Sequence, residues 1–233
     1  MKSPFQVVKD FEQAVAEYTG APYVVAVNSC SAALMLAVAW HLRLREIRRA
    51  VWNDVHHVLT SYTPSIEIPK RTYLSVPMSI IHAGGRPTFR DEDWQGWYQL
   101  KPLPVWDSAR YFSSGMYQGW NGKHPTAPGG WPHAAGGMVC TSHHWSKTLG
   151  IQQGGCILHH NPQADKWLRM ARFDGRQEGV APKDQKEWII GHHCYMSPEV
   201  AAAGIARLHF LPKHNKPMPN DDYPDLSQLE IFK

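Results

Sequence analysis

The sequence is short of charge, of cysteine and of long apolar runs. Charged residues make up 19% of its 233 residues, below the ~25% of an average soluble domain. Net charge is +4, from 24 basic and 20 acidic residues, and no Lys/Arg run exceeds two. That leaves no basic arm, so no nucleic-acid partner is expected. The four cysteines, Cys30, Cys140, Cys156 and Cys194, form no C-x-x-C pair, which argues against a zinc ribbon and a thioredoxin-like redox site. Cys140 and Cys156 lie inside apolar runs and read as reduced core residues. No window approaches the ~18 apolar residues of a membrane span. The opening MKSPFQVVKDFEQAV has no continuous apolar segment of the kind a signal peptide needs. A cytoplasmic, reducing location with no membrane partner is the default expectation. There is no internal repeat.

What is present is a core. Hydrophobic residues make up 43% of the chain, and ten of its residues are Trp, which argues against disorder. A chain of this length buries roughly 70% of its unfolded surface.

The elements alternate. Ser3, Pro4 and Gln6 read as N-cap, N1 and capping-box partner of a first helix. Phe5, Val8, Phe11, Val15 and Tyr18 then recur at helical spacing, and Gly20 is the expected stop. Residues 23–28 are a Val-rich buried strand. The turn Asn28-Ser29-Cys30-Ser31 leads into a long helix, AALMLAVAWHLRLREI. Residues 51–65 read as a solvent-facing insertion. A strand (SIEIP), a Pro-containing loop, a second helix (YLSVPMSIIHAGG) and a strand (RPTFRD) follow. LPVWDSAR is another strand, with Asp107 at its C-terminal end. Residues 119–137 carry six Gly and three Pro and read as a loop or flap. GMVCTSHHW and GGCILHHN are strands flanking the loop WSKTLGIQQ. Two more helices are expected, PQADKWLRMARFDG and SPEVAAAGIARLHFL, the latter with Ser197 as N-cap and Pro198 at N1. The tail 212–233 has four Pro and reads as an extended segment or arm. The alternation predicts an α/β fold on a mostly parallel sheet flanked by helices.

Three polar features fall at the carboxyl ends of strands, where such sheets bind ligands. They are Ser29-Cys30-Ser31, Asp107, and Ser142 through Lys147. A serine turn feeding a helix N-terminus suits a phosphate. A carboxylate at a strand end can anchor a cationic ring, and a lysine between two apolar strands can serve as an amine nucleophile. Together these are the parts of a pyridoxal-phosphate site. Taken singly, Ser31 also reads as an N-cap, Asp107 as a turn cap or a partner for Arg110, and Lys147 as a solvated loop lysine.

The run VVAVNSCSAALMLAV resembles the V-N-S-G-T-x-A-L phosphate turn of the sugar-nucleotide (DegT/StrS-like) aminotransferases. IPKRTYLSVPMSIIHAGGRPTFRD, VWDSAR, TSHHWSKTLGIQQGGCILHHN and GHHCYMSPEVAAAGIARLHFL are similar, in order, to that family's later segments, and the matches run from about residue 3 to 211. The resemblance implies a fold-type-I large domain over 1–211 that binds pyridoxal 5'-phosphate. It implies an extended tail over 212–233, the family's small C-terminal domain being absent. It also implies a transaminase for a keto-sugar nucleotide, as in polysaccharide biosynthesis, with an amino-acid donor such as glutamate.

Carried over residue by residue, Lys147 is the Schiff-base lysine and Asp107 the partner of the pyridine nitrogen. Tyr73 stacks on the ring. Cys30 and Ser31 hold the phosphate, with a further hydrogen bond from Ser142. Arg110 stands where the family has a residue that contacts the cofactor ring, and a cation there suits Asp107 or a substrate phosphate. His193 stands where the family has an Asn that reaches a partner subunit's cofactor, which implies a homodimer with shared sites.

The chain departs from the pattern at four places. Cys30 replaces the Gly of the phosphate turn, where a side chain crowds the backbone. Arg110 replaces Gln or His, His143 replaces Phe, and His193 with Tyr195 breaks an N-x-R pattern. These departures and the short chain motivate an alternative, a degenerate relative that binds or interacts with little or no catalysis. Four His-His pairs, at 56–57, 143–144, 159–160 and 192–193, raise the question of a metal. Neighbours on a strand point to opposite faces, so such pairs rarely share an ion, and no metal site is expected.

Overall fold

The computed structural model describes residues 4–56, 63–117 and 137–233, the stretch 45–56 as helix backbone alone. Ser3, residues 57–62 of the expected insertion and residues 119–136 of the expected flap (119–137) lie outside these.

Helix α1 (Gln6–Thr19) begins later than the capping box required. Phe5 occupies the N-cap with no side-chain bond, and Gln6 instead donates to Asp10 one turn on. Gly20 ends the helix in the left-handed region at φ 79, a conformation that costs glycine little. Strand β1 (Tyr23–Val27) leads into α2 (Cys30–His56), so the helix runs on into the segment read as an insertion. Then come β2 (Ser65–Pro69), α3 (Ser75–His82) and β3 (Arg86–Arg90). After them stands β4 (Tyr98–Gln99), two residues too short to show a period in sequence. The remaining elements are β5 (Val105–Ser108), β6 (Met138–Ser142), β7 (Gly155–His159), α4 (Pro162–Ala171) and α5 (Pro198–Phe210). Ser197 caps α5 by accepting from the Val200 amide, with Pro198 at the first turn, as expected.

The main sheet has the order β1-β7-β6-β5-β4. It is mixed rather than mostly parallel. Only β5–β6 pair in parallel there, while β1–β7, β6–β7 and β4–β5 are antiparallel. The physical reason is the connection: the β6–β7 loop carries no helix, and without a crossover two successive strands return antiparallel. Strands β2 and β3 form a separate parallel pair joined through α3. A two-way backbone bridge between Glu67 and Lys101 sets that pair beside the end of β4.

Both faces of the main sheet are covered. Val25 and Val27 of β1, Met138 and Cys140 of β6 and Ile157 of β7 pack toward α2 and α4. Val24 and Ala26, Val139, and Cys156 with Leu158 pack toward α1 and α5. Burial on both faces explains why these strands read as unbroken apolar runs. Each fully buried Val, Leu or Ile contributes about 1.5–3 kcal/mol. All four cysteines are free thiols, and Cys140, Cys156 and Cys194 are buried.

One polar cluster crosses this core. Glu12 of α1 is buried, accepts from the Ala26 amide at 2.8 Å and from Arg169 Nη1 at 2.7 Å, and pairs with Arg172 Nη1. Arg172 Nη1 also donates to the Ala26 carbonyl at 2.6 Å. The cluster ties α1, β1 and the end of α4 together.

Candidate functional site: a cavity at the strand ends

Strands β1, β5 and β6 run the same way, with β7 opposed, so three carboxyl ends and the first residue of β7 meet at one edge. The register sets Val27 and Ser142 each opposite Gly155, and Ser108 opposite Thr141. A cavity of about 330 Å³ opens there. Cys30, Ser31, Tyr73, Asp107, Arg110, Ser142 and Lys147 all line it. Seven of the eight residues singled out from sequence therefore converge from segments far apart in the chain. His193 is away from this cavity. Its imidazole is exposed and lies 3.0 Å from Asp174 Oδ1.

The turn before α2 is built for close approach. Ser29, not Ser31, is the cap: its hydroxyl accepts from the Ala32 amide at 3.1 Å, and its carbonyl accepts from Ala33. The Cys30 and Ser31 amides stand in the first turn, where no carbonyl of the helix reaches them. With the helix dipole they make an anion site. Ser31 Oγ lies 2.6 Å from Ser75 Oγ of α3, so two hydroxyls flank the turn. Gly155 presses on the turn from behind: a Cβ there would sit 2.7 Å from the Cys30 nitrogen and 2.8 Å from the Ser29 carbonyl oxygen. The turn can keep its place only against glycine.

Asp107, at the end of β5, is buried. Tyr98 Oη of β4 donates to its Oδ2 at 2.7 Å, and the Ala109 amide donates to its Oδ1 at 2.9 Å. Thr72 Oγ1 lies 2.6 Å from the same phenol. Burial raises the Asp107 pKa above the usual carboxylate value, against the pull of those hydrogen bonds and of Lys147. The expectation that Arg110 pairs with Asp107 is corrected. Arg110 turns instead to the tail, with Nη1 2.6 Å from Asp221 Oδ2 and Nη2 2.9 Å from Oδ1.

Lys147 is placed by the β6–β7 hairpin. The His143 amide donates to Gly154 O, Ile151 N to His143 O and Lys147 N to His144 O, folding the loop back on itself. Burial first, then the neighbouring Arg110 cation, pushes the Lys147 amine below an ordinary lysine. His143, at the family's Phe position, is fully buried and sits edge-on to Phe11 and Phe112. Burial lowers its pKa to about 3, so it is a neutral ring standing in for an apolar one. Tyr73 stands at the rim, 61% exposed.

The tail is what sequence reading missed. Residues 214–225 lie in neither a helix nor a strand, the short 3-10 turns Leu226–Gln228 and Glu230–Phe232 follow, and the segment packs back onto the domain. Asn215 Nδ2 donates to Tyr18 Oη and to the Phe112 carbonyl. Leu226 is fully buried, and its amide donates to Lys70 O. Between these anchors, Asp221 and Tyr223 enter the cavity wall. Tyr223 stacks on Trp94, another lining residue, with ring planes 11° apart. The acidic, aromatic stretch NDDYPD was the only local signal, and nothing in it names a partner.

The residues present fit pyridoxal phosphate. The head of α2 offers first-turn amides, Lys147 offers an amine of lowered basicity, and Asp107 is a buried carboxylate that, among the described residues, accepts from the Tyr98 phenol and the Ala109 amide. A pyridinium N–H is the kind of cation that would complete it.

Residues 3–103 match the sequence pattern of the DegT/DnrJ/EryC1/StrS aminotransferase family. No curated protein matches the chain. Among solved structures, the chain is similar to a DegT/DnrJ/EryC1/StrS aminotransferase from Brucella abortus at 17% identity and TM-score 0.60, with 88% of this chain and 58% of that one covered. It is similar to AtS13 from Actinomadura melliaura at 20% identity and TM-score 0.62, covering 88% and 60%. PseC from Helicobacter pylori, an aminotransferase involved in the biosynthesis of pseudoaminic acid, is similar at 14% identity and TM-score 0.62, covering 88% and 58%. At these identities the likeness is one of fold, and the chain spans about three fifths of each relative's length.

Proposed function

We infer that this chain, with the fold of the DegT/DnrJ/EryC1/StrS aminotransferases and their sequence pattern over residues 3–103, holds pyridoxal phosphate and serves transamination. The finer reading is a keto-sugar nucleotide as acceptor and an amino acid such as glutamate as donor. One observation carries the proposal: a buried carboxylate with no bonded cation, an open helix head and a lysine of lowered basicity share one cavity.

When bound, pyridoxal phosphate supplies an electron sink for a carbanion beside an amino nitrogen. The rest falls to the protein. The Cys30 and Ser31 amides hold the phosphate with the help of the Ser31 and Ser142 hydroxyls. Asp107, ionised against the ring nitrogen, keeps the ring cationic. Tyr98 fixes that carboxylate through its 2.7 Å bond. Lys147 Nζ would hold the cofactor and is the amine in the cavity able to take up and return a proton, a role its lowered basicity suits. Tyr73 lines the cavity at its rim, where its ring would stack on the bound group.

Tyr73 at that rim and, next in sequence to lining residues, Leu74 and Trp145 are exposed. This apolar rim supports a homodimer, with His193 reaching the partner's site. No helix among the described residues is long and apolar enough to cross a membrane. We also propose that 1–211 is the cofactor domain and 212–233 its strap.

The test is spectroscopic. Wild-type protein titrated with pyridoxal phosphate develops an absorption band that borohydride reduction fixes covalently on Lys147. Lys147→Ala develops no band. A wild type without the band, or a variant that keeps it, defeats the assignment.

A further inference from the structure

The Arg110 side chain is 5% exposed, whereas its partner Asp221 is 62% exposed. The cation thus belongs to the cavity, and the carboxylate comes from outside. The pair is an end-on fork through both Nη atoms, at 2.6 and 2.9 Å, with Nε donating to the Pro219 carbonyl at 2.6 Å. A two-bond fork of this kind is a frequent way for arginine to hold a free carboxylate. Asp107, the other carboxylate lining the cavity, is turned to Tyr98 and Ala109. Asp221 sits between Met218, whose amide donates to Arg110 O, and Leu226, whose amide donates to Lys70 O. The tail segment carrying it lies in neither a helix nor a strand.

We propose that Arg110 is the carboxylate-binding residue of the cavity, and that Asp221 is an internal stand-in which a substrate carboxylate displaces. The ligand class is an α-amino acid or the matching 2-oxo acid; that identification rests on the aminotransferase reading. The exchange trades one charged pair for another, so charge is conserved throughout. A carboxylate on Arg110 shares the cavity with Lys147, whose basicity is lowered by Arg110 and raised by Asp221. An amino acid held there brings its amino group into the cavity of the lysine. A tethered competitor acts at an effective concentration of about millimolar, so the strap sets a threshold for free carboxylates.

The experiment is calorimetric titration of the full chain, without cofactor, using maleate as an unreactive probe. Asp221→Ala binds maleate ~10-fold more tightly than wild type, the gain expected from removing such a competitor. Asp221→Asn, which keeps the size and removes the charge, shows the same direction. Arg110→Lys in the Asp221→Ala background loses the gain, and the uncharged diamide maleamide does not bind. A folded Asp221→Ala with no gain, or with only a lower melting temperature, makes Asp221 a mere staple of the tail and overturns the proposal. Pyridoxal phosphate titrations of the same proteins separate the two readings. A cofactor band without a maleate gain defeats this inference alone. A gain without a band upholds the carboxylate site and defeats the aminotransferase reading.

Discussion

Glu12 and Asp107 are both buried carboxylates, and they have opposite surroundings. Glu12 meets two guanidinium groups and a backbone amide. Burial alone would raise its pKa, but Arg172 and Arg169 outweigh that and hold it below the ordinary value of 4.5. Asp107 meets a phenol and an amide, and burial prevails, raising its pKa. The first is a closed structural cluster. Asp107, among the described residues, has no cation bonded to it, and Lys147 acts on it only through space. The contrast is between a carboxylate the chain neutralises by direct contact and one it does not.

The largest way to break the contrast is to open the closed cluster. Glu12→Ala leaves Arg172, 1% exposed, with Glu178 alone and Arg169 with Asp165 alone among the described carboxylates, and costs about 3 kcal/mol, the low end of the penalty for halving a buried pair. Urea unfolding measures it as a lower midpoint at unchanged slope. Asp107→Asn should do the reverse to the fold. A carboxyl whose pKa is raised by folding supports the fold at low pH and loses that contribution as pH rises through the raised value. At neutral pH its charge therefore opposes folding. Asparagine keeps the bonds if Tyr98 turns its proton to Thr72 and accepts from the new amide. The cofactor-free variant then melts higher than wild type, while pyridoxal-phosphate affinity falls by ~10- to 100-fold, the value of a charge-assisted bond.

Acid titration sharpens the same comparison. The Glu12 contribution is fully present above its ordinary value of 4.5 and is lost as pH falls through its lowered value. Glu12→Gln should flatten that acid limb of the stability curve, as followed by circular dichroism. A limb of unchanged steepness assigns acid lability to other carboxylates. Cys30→Gly carries the smallest effect. Glycine in the first turn of α2 costs about 1 kcal/mol or less of stability. The Cys30 side chain packs against the core cluster, so phosphate affinity by titration should change less than about threefold, half a kcal/mol or so. A large gain would show that the thiol crowds the turn.

Most of the site was legible along the chain because each part is local. The phosphate turn is a strand end followed by a capped helix. Lys147 sits in a hairpin between two Val- and Ile-bearing strands, and Asp107 ends a third. Order and spacing suffice for such features, since each is settled within about ten residues. Strand β4 escaped because two residues carry no period. The helix start escaped because Phe5, rather than a serine, occupies the cap. The mixed sheet escaped because apolar runs show that a strand is buried and do not show which way its neighbour runs.

Sequence by itself determined the two-faced strands, the helix caps at Gly20 and Ser197, and seven of the residues that line the cavity, all matters of local period and steric demand. Tertiary structure alone decided that Arg110 answers to Asp221, 111 residues away, rather than to Asp107 three residues before it. Neighbours on a chain do not choose each other by charge. A carboxylate must come within reach of the guanidinium, and here the anchoring of the tail at Asn215 and Leu226 brings Asp221 there.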